Sequence, residues 1–190
     1  ASVVVDSDSR SMEILLEWTS VMACEDYEPE DAPRKRDTHW WDLWFLGLAK
    51  YVSTASKDPS TQVGAVLVDE KRRVVSTGYN GIPRGMDDSV ERLWDRELKY
   101  RLIIHADRNA LLFARGPVDG CSIYTWPFGP CSPCAVMMIQ AGIRRVVSPP
   151  LPESLRERWE SDMELTREMF KEVGIEWDIE DGSIGTSAVE

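Results

Sequence analysis

The sequence predicts an α/β fold: a mostly central sheet of about five strands, covered by helices, in one domain with appendages at both ends. Three observations predict it. Between residues 37 and 178, β-rich runs alternate with runs of helical period in the order helix, hairpin, helix, strand, helix, strand, helix, strand, an order that places helices on the faces of a sheet. A length of 190 residues supports one domain with a substantial core and is short for two. The composition also changes near both ends, where acidic residues with proline or glycine with serine replace the periodic pattern.

Residues 1–36 read as an acidic extension and linker. Glu25, Asp26, Glu28, Glu30 and Asp31 surround Pro29 and Pro33, and Arg34-Lys35-Arg36 then reverses the sign. Within this stretch Met12, Leu15, Leu16, Thr19 and Met22 have helical spacing, which suits either a short amphipathic helix docked on the body or another subunit, or a disordered acidic arm. From Asp37 the pattern tightens. Thr38 can cap a helix whose apolar residues Trp41, Trp44, Phe45, Leu48 and Val52 form a core stripe. Gln62 to Asp69 and Arg73 to Tyr79 form a hairpin around Glu70-Lys71-Arg72. A loop from Asn80 to about Lys99 leads to a helix across His105 to Ala114. A strand follows at Cys121 to Thr125, a helix opens at Pro130 or Cys131, and a strand covers Arg144 to Val147. A long amphipathic helix then spans Glu153 to Val173, with a last short strand at Ile175 to Trp177. Residues 179–190 are a flexible tail.

Net charge is −11 and the isoelectric point about 4.7, the wrong sign for affinity built on the phosphates of a long nucleic acid. A small anionic substrate held by one or two local cations is compatible with it. The longest apolar runs fall well short of the roughly 20 residues that span a bilayer, and no charged-then-apolar N-terminal signal is present. The expectation is a cytoplasmic protein with no membrane partner. Cys24 and Cys121 have no cysteine or histidine neighbours and read as reduced, buried thiols.

The chemistry concentrates in His105-Ala106-Asp107 and Pro130-Cys131-Ser132-Pro133-Cys134. Zinc takes sulfur and imidazole nitrogen tetrahedrally, and a catalytic site supplies three protein ligands while leaving the fourth position open. His105, Cys131 and Cys134 supply three. Cys-x-x-Cys at a helix start lets both sulfurs converge on one ion, Pro130 suits a first helical turn, and the helix N-terminus favours thiolates. A structural zinc would want a fourth ligand, and the other histidine, His39, reads as a surface or capping residue. A redox Cys-x-x-Cys would leave His105 and Asp107 unexplained.

These residues resemble the H-x-E…P-C-x-x-C signature of zinc deaminases. From about Trp41 to Val147 the chain is similar to the deoxycytidylate deaminases of the zinc-dependent cytidine deaminase superfamily. The likeness includes Ser56-Lys57-Asp58-Pro59-Ser60-Thr61-Gln62-Val63-Gly64-Ala65, Gly78-Tyr79-Asn80-Gly81-Ile82-Pro83-Arg84-Gly85, Lys99-Tyr100 and Asn109-Ala110. The resemblance implies a three-layer α/β/α cytidine-deaminase-like fold and hydrolysis of dCMP to dUMP and ammonia. It implies that His105, Cys131 and Cys134 hold one catalytic zinc and that Asp107 moves the protons. Asn80 would bond the nucleotide sugar, the Ala106 main chain would meet the pyrimidine carbonyl, and Lys57 would meet the phosphate. It further implies a homo-oligomer, dimer-based or hexameric, and an allosteric site for dCTP or dTTP with accompanying Mg2+.

Two features depart from the pattern. Some relatives hold a second zinc through a cysteine where this chain reads Gly85-Met86-Asp87-Asp88, so one zinc is expected. Asp107 stands in the glutamate position, which withdraws the carboxylate by roughly 1.5 Å. A misplacement near 1 Å can cost on the order of a hundredfold in rate. The open alternatives are a shifted backbone that restores activity, or an engineered or natural form that binds deoxycytidine nucleotides without turnover. The substrate alternatives are dCTP and a 5-substituted dCMP. The approach Thr125-Trp126-Pro127-Phe128-Gly129-Pro130 is one residue longer than the family pattern, and its Trp126 and Phe128 are suited to line a base pocket or to join the core.

Overall fold

The computed structural model describes residues 36–180. The helix expected within residues 12–22, Cys24 and most of the tail lie outside the described residues. The elements follow the expected order: α1 (Thr38–Ser53), β1 (Gly64–Val68), β2 (Val74–Tyr79), α2 (Val90–Trp94), α3 (Arg96–Leu102), α4 (Ala106–Phe113), β3 (Ser122–Trp126), α5 (Ser132–Gln140), β4 (Arg145–Ser148), α6 (Glu153–Val173) and β5 (Glu176–Ile179).

The five strands form one mixed sheet in the order β2-β1-β3-β4-β5. β1 pairs antiparallel with β2 and β3, while β3, β4 and β5 run parallel. The parallel pairs are joined by α5 and α6, as crossover connections require. β1 reads Gly-Ala-Val-Leu-Val and is buried throughout, as a strand covered on both faces should be. Its alternation separates two cores: Ala65 and Leu67 join Ala106, Ala110, Ile123, Met138 and Phe170, whereas Val66 and Val68 join Phe45, Leu46, Ala49 and Tyr124. Helices α4, α5 and α6 thus cover one face and α1 the other, the expected three layers. Among the described residues no helix is long and apolar enough to cross a membrane.

Several local expectations are corrected. Asp37, not Thr38, caps α1, its carboxylate accepting the Trp40 N–H at 2.8 Å. The core stripe of α1 holds for Phe45, which is buried, and for Trp41, Leu48 and Val52, which pack against the same cluster, but not for Trp44, which is 45% exposed; Asp42, Leu43, Leu46, Ala49 and Ser53 are buried as well. Asp42 faces inward among them and accepts Tyr124 OH at 2.7 Å and both terminal nitrogens of Arg145 at 2.7 and 2.8 Å. Arg145 Nε also donates to Asp178 at 2.6 Å, so one guanidinium ties α1 to the strands. Burial and the bond to Asp42 push the Tyr124 hydroxyl well above its ordinary pKa. Asp42→Ala leaves Arg145 short of its buried partner and is expected to cost about 3–5 kcal/mol, read from urea unfolding.

The stretch expected as a loop from Asn80 to Lys99 contains α2 and most of α3. Its charged residues hide the helical period, and Asp95 marks the junction by accepting the Leu98 N–H at 3.1 Å. α5 begins at Ser132 with Cys131 as N-cap, so Pro133 and not Pro130 occupies the first turn. Gly174, with φ of +76°, ends α6 in the left-handed conformation that glycine adopts without strain.

Candidate active site and metal centre

Three glycines and two helix starts bring the site together. On β2, a Cβ at Gly78 would lie 2.2 Å from the Ala106 carbonyl oxygen and 2.3 Å from Ala110 N. Only glycine lets the first turns of α4 lie directly on the strand. Gly81 forms a two-way main-chain bridge with Ile104, at 3.1 and 2.9 Å, which fixes the chain just before His105. A Cβ at Gly129 would lie 2.1 Å from the Trp177 ring, so the approach to Cys131 rests on β5.

His105 is the N-cap of α4 and Cys131 the N-cap of α5. His105 Nδ1 lies 3.3 Å from both sulfurs, and the sulfurs are 3.3 Å apart. A triangle of that edge has its centre about 1.9 Å from each corner, a spacing compatible with three donors to one ion at the usual Zn–N distance of about 2.0–2.1 Å and Zn–S distance of about 2.3 Å. The donor set therefore fits zinc, and it is the one such cluster among the described residues. The contact with Cys134, backed by His105, holds the Cys131 thiol below its ordinary pKa against the cost of burial. The same contact pushes Cys134 up, and that with Cys131 raises His105. One negative charge is readily placed on the sulfur pair; a second is stabilised by a cation.

Neither helix start is capped by its own side chain. At α5, Asp162 of α6 does this instead, accepting Ser132 N at 2.8 Å and Ser132 Oγ at 2.5 Å. Thr166, one turn further on, donates to the Pro130 carbonyl at 3.3 Å. α6 thus braces the segment that carries both sulfurs.

Asp107 lies in the first turn of α4, 6% exposed, with one carboxylate oxygen accepting the Arg108 N–H at 2.8 Å. It lines a cavity of about 340 Å³ together with His105, Cys131, Asn80, Thr125 and Phe128. That volume falls within the roughly 300–1,000 Å³ of small-molecule sites. Thr125 Oγ1 is buried in this wall with no hydrogen-bond partner among the described residues. Ala106 opens α4, so its N–H has no acceptor within the helix.

The loop at 56–62 forms a second wall around a buried ion pair. Asp58 Oδ1 accepts Lys99 Nζ at 2.9 Å and Ser60 N at 2.8 Å, and Lys99 also donates to Ser60 Oγ at 2.9 Å. Both charged side chains are about 5% exposed. Asn80 joins them: its Oδ1 accepts Val63 N at 2.7 Å, and its Nδ2 donates to Thr61 O at 3.0 Å and Asp58 Oδ2 at 3.3 Å. Lys99→Met would strand the Asp58 carboxylate in the wall. A loss of about 3–5 kcal/mol is expected, measurable as a lower urea midpoint.

Of the residues singled out in the sequence, His105, Cys131, Asp107 and Asn80 meet at the cavity, and Cys134 completes the donor triangle. Lys57 and Trp126 do not line it. Lys57 is exposed and pairs with Asp88 at 2.7 Å, and strand alternation sends Trp126 to the α1 face, where Lys50 stands 4.9 Å over its ring. His39 is a surface residue, 3.3 Å from Glu180. Cys121 is buried and reduced as expected. Asp58, Lys99 and Thr125, which lie in segments singled out in the sequence but without a role of their own there, also line the wall, as do Arg158 and Trp159, which no local motif marked.

An imidazole and two thiols converging beside a buried carboxylate, in a cavity of metabolite size, define a zinc-type hydrolytic site. Residues 39–149 match the family profile described as the cytidine and deoxycytidylate deaminase zinc-binding region. The chain belongs to this family. It is 42% identical over 136 residues to the uncharacterized deaminase in the luxG 3′ region of Aliivibrio fischeri, a match covering 72% of this chain and 90% of that protein. It is 40% identical over 121 residues to the human deoxycytidylate deaminase, covering 60% of this chain and 67% of the human protein. In fold it is similar to the dCMP deaminase of cyanophage S-TIM5, solved in complex with dCMP and dUMP, with a TM-score of 0.55 at 20% identity over 72% of this chain and 94% of that one.

Proposed function

We propose that this chain is a zinc-dependent hydrolase that converts dCMP and water to dUMP and ammonia. The observation that carries the proposal is that the donor triangle opens, through His105 and Cys131, onto the cavity that Asp107 lines; the kinship with proteins named deoxycytidylate deaminase supports the choice of substrate. A zinc ion held by His105, Cys131 and Cys134 would supply Lewis acidity that makes hydroxide available near neutral pH.

The chain's own groups do the rest. Asp107 takes one proton from the attacking water and passes it to N3, where it stays in dUMP, as the water oxygen bonds to C4. It then carries the proton of the resulting C4 hydroxyl to the 4-amino group, so that the carbonyl forms, the C4–N bond breaks and ammonia leaves. The Ala106 N–H is the proposed donor to the pyrimidine carbonyl. Asn80 is the proposed contact to the sugar: an amide oxygen accepts two hydrogen bonds, and Oδ1 uses one on Val63. The catalytic domain in this reading is 37–178, between an extension at 1–36 and a tail at 179–190. A dimer-based or hexameric assembly, a cytoplasmic location, and control by dCTP and dTTP with Mg2+ are parts of the same proposal that rest on the family resemblance.

The test is the ultraviolet change on deamination of dCMP, dCTP, deoxycytidine and a 5-substituted dCMP by the zinc-loaded chain and by Asp107→Glu. The highest kcat/KM is expected on dCMP. A higher value on dCTP or the 5-substituted compound moves the substrate accordingly, and no turnover of any of them by either protein ends the reading.

A further inference from the structure

At the cavity wall two guanidinium groups converge on one phenol. Tyr100 OH accepts Arg96 Nε at 3.1 Å from within α3 and is also the acceptor for Arg158 of α6. Both guanidiniums lie over the Tyr100 ring, at 5.5 and 5.1 Å from its centroid, and that of Arg158 also lies 4.9 Å from the Trp159 ring. Two like charges gathered on a neutral oxygen repel each other. Among the described residues neither has a carboxylate within ion-pair distance, although other arginines of α6, such as Arg156 and Arg167, have one.

The other cation in the wall, Lys99, is already neutralised by Asp58. Arg158 is therefore the cavity-lining cation whose charge is not matched by a protein carboxylate. The chain's net charge of −11 opposes an approaching anion on average, and a local cation pair at the rim offers one a favourable place within the cavity. Arg158 has donors to spare, since a guanidinium carries five and its planar fork matches the oxygens of a phosphate. The same wall holds the unpartnered, 2%-exposed hydroxyl of Thr125, a second sign that a polar ligand completes the cavity.

We infer that Arg158, steadied by Tyr100 and Trp159 and reinforced by Arg96, binds the phosphate of the nucleotide. This rests on the reading of the cavity as a pyrimidine nucleotide site and takes that role from Lys57, which is paired with Asp88 away from the cavity. Trp159 gives the guanidinium an aromatic surface to lie on, and Tyr100 keeps it from folding away into solvent. Arg158 is thus a substrate-binding residue; Tyr100 is a positioning residue that acts through it.

The experiment is calorimetric binding of dUMP and deoxyuridine to the zinc-loaded full chain, with Arg158→Gln, Arg158→Lys and Tyr100→Phe alongside. Circular dichroism verifies that each variant folds. The wild type should bind dUMP about ten- to a hundredfold more tightly than deoxyuridine, the range of a hydrogen bond to a charged group. Arg158→Gln should erase that advantage without changing deoxyuridine binding, Arg158→Lys should restore part of it, and Tyr100→Phe should reduce it. In turnover of dCMP the loss should fall on KM, not kcat. A dUMP advantage that survives Arg158→Gln overturns the inference, as does a wild type that binds both ligands equally or binds neither. Binding of dUMP through Arg158 with no turnover of dCMP would uphold the inference while removing the proposed activity; turnover of dCMP unaffected by Arg158→Gln would do the reverse.

Discussion

Replacing Asp107 by asparagine is expected to lower kcat for dCMP by about 10²–10⁴-fold, the usual contribution of a positioned acid–base group. Zinc content and dUMP affinity should stay within about twofold of the wild type, because Asp107 is not one of the three donors and asparagine preserves its volume. The split between chemistry and binding is what separates a proton-transfer role from a merely structural one. Asp107→Glu extends the arm by roughly 1.5 Å. One oxygen of Asp107 is held against the Arg108 N–H at the helix start, which keeps the short carboxylate close to α4. We therefore expect Asp107→Glu to raise kcat, by up to about a hundredfold, with little change in KM. An unchanged or lower kcat would show that the backbone of this chain already places the shorter carboxylate correctly.

The second large effect is expected from the sulfurs. Cys134→Ala leaves two donors where zinc requires at least three from the protein, and should abolish stoichiometric zinc and reduce turnover by at least about a thousandfold. Cys134 is fully buried beside Ala135 and Met138, so the missing sulfur leaves a small void and the fold should persist. Elemental analysis and circular dichroism on one sample check both halves of this statement. Removing zinc from the wild type with a chelator should produce the same loss, reversed when zinc is restored. A Cys134→Ala protein that keeps full activity would mean that the donor triangle is not the reactive centre.

Much of this architecture can be read from local pattern. The long helix at Glu153–Val173 has a strong amphipathic period and a glycine stop, and the strand pair around residues 70–72 has alternation and a charged turn, so each declares itself within its own segment. The donor triangle is readable for a chemical reason: histidine and cysteine are few, and their spacing has little meaning except around a metal. What escapes local reading depends on partners distant in sequence. Asp42 is a buried carboxylate on α1 because Arg145, 103 residues away, pairs with it. Lys99 is buried because Asp58, 41 residues earlier, meets it, and the α5 start is capped by Asp162 from 30 residues further on. Arg158 looks like one more exposed charge on a charged helix until Tyr100, 58 residues before it, fixes its place in the cavity wall. Even Trp126, aromatic and next to the site in sequence, points elsewhere because strand alternation outranks proximity.

The most direct test of the central claim is to incubate the zinc-loaded chain with dCMP in water enriched in the heavy oxygen isotope and to analyse the products by mass spectrometry and an ammonia assay. A hydrolytic deaminase using Asp107 must give dUMP carrying one heavy oxygen at C4 and an equal amount of ammonia, with both products formed at least about a hundredfold more slowly by Asp107→Asn. Intact dCMP, or dUMP without the label or without matching ammonia, would contradict the account.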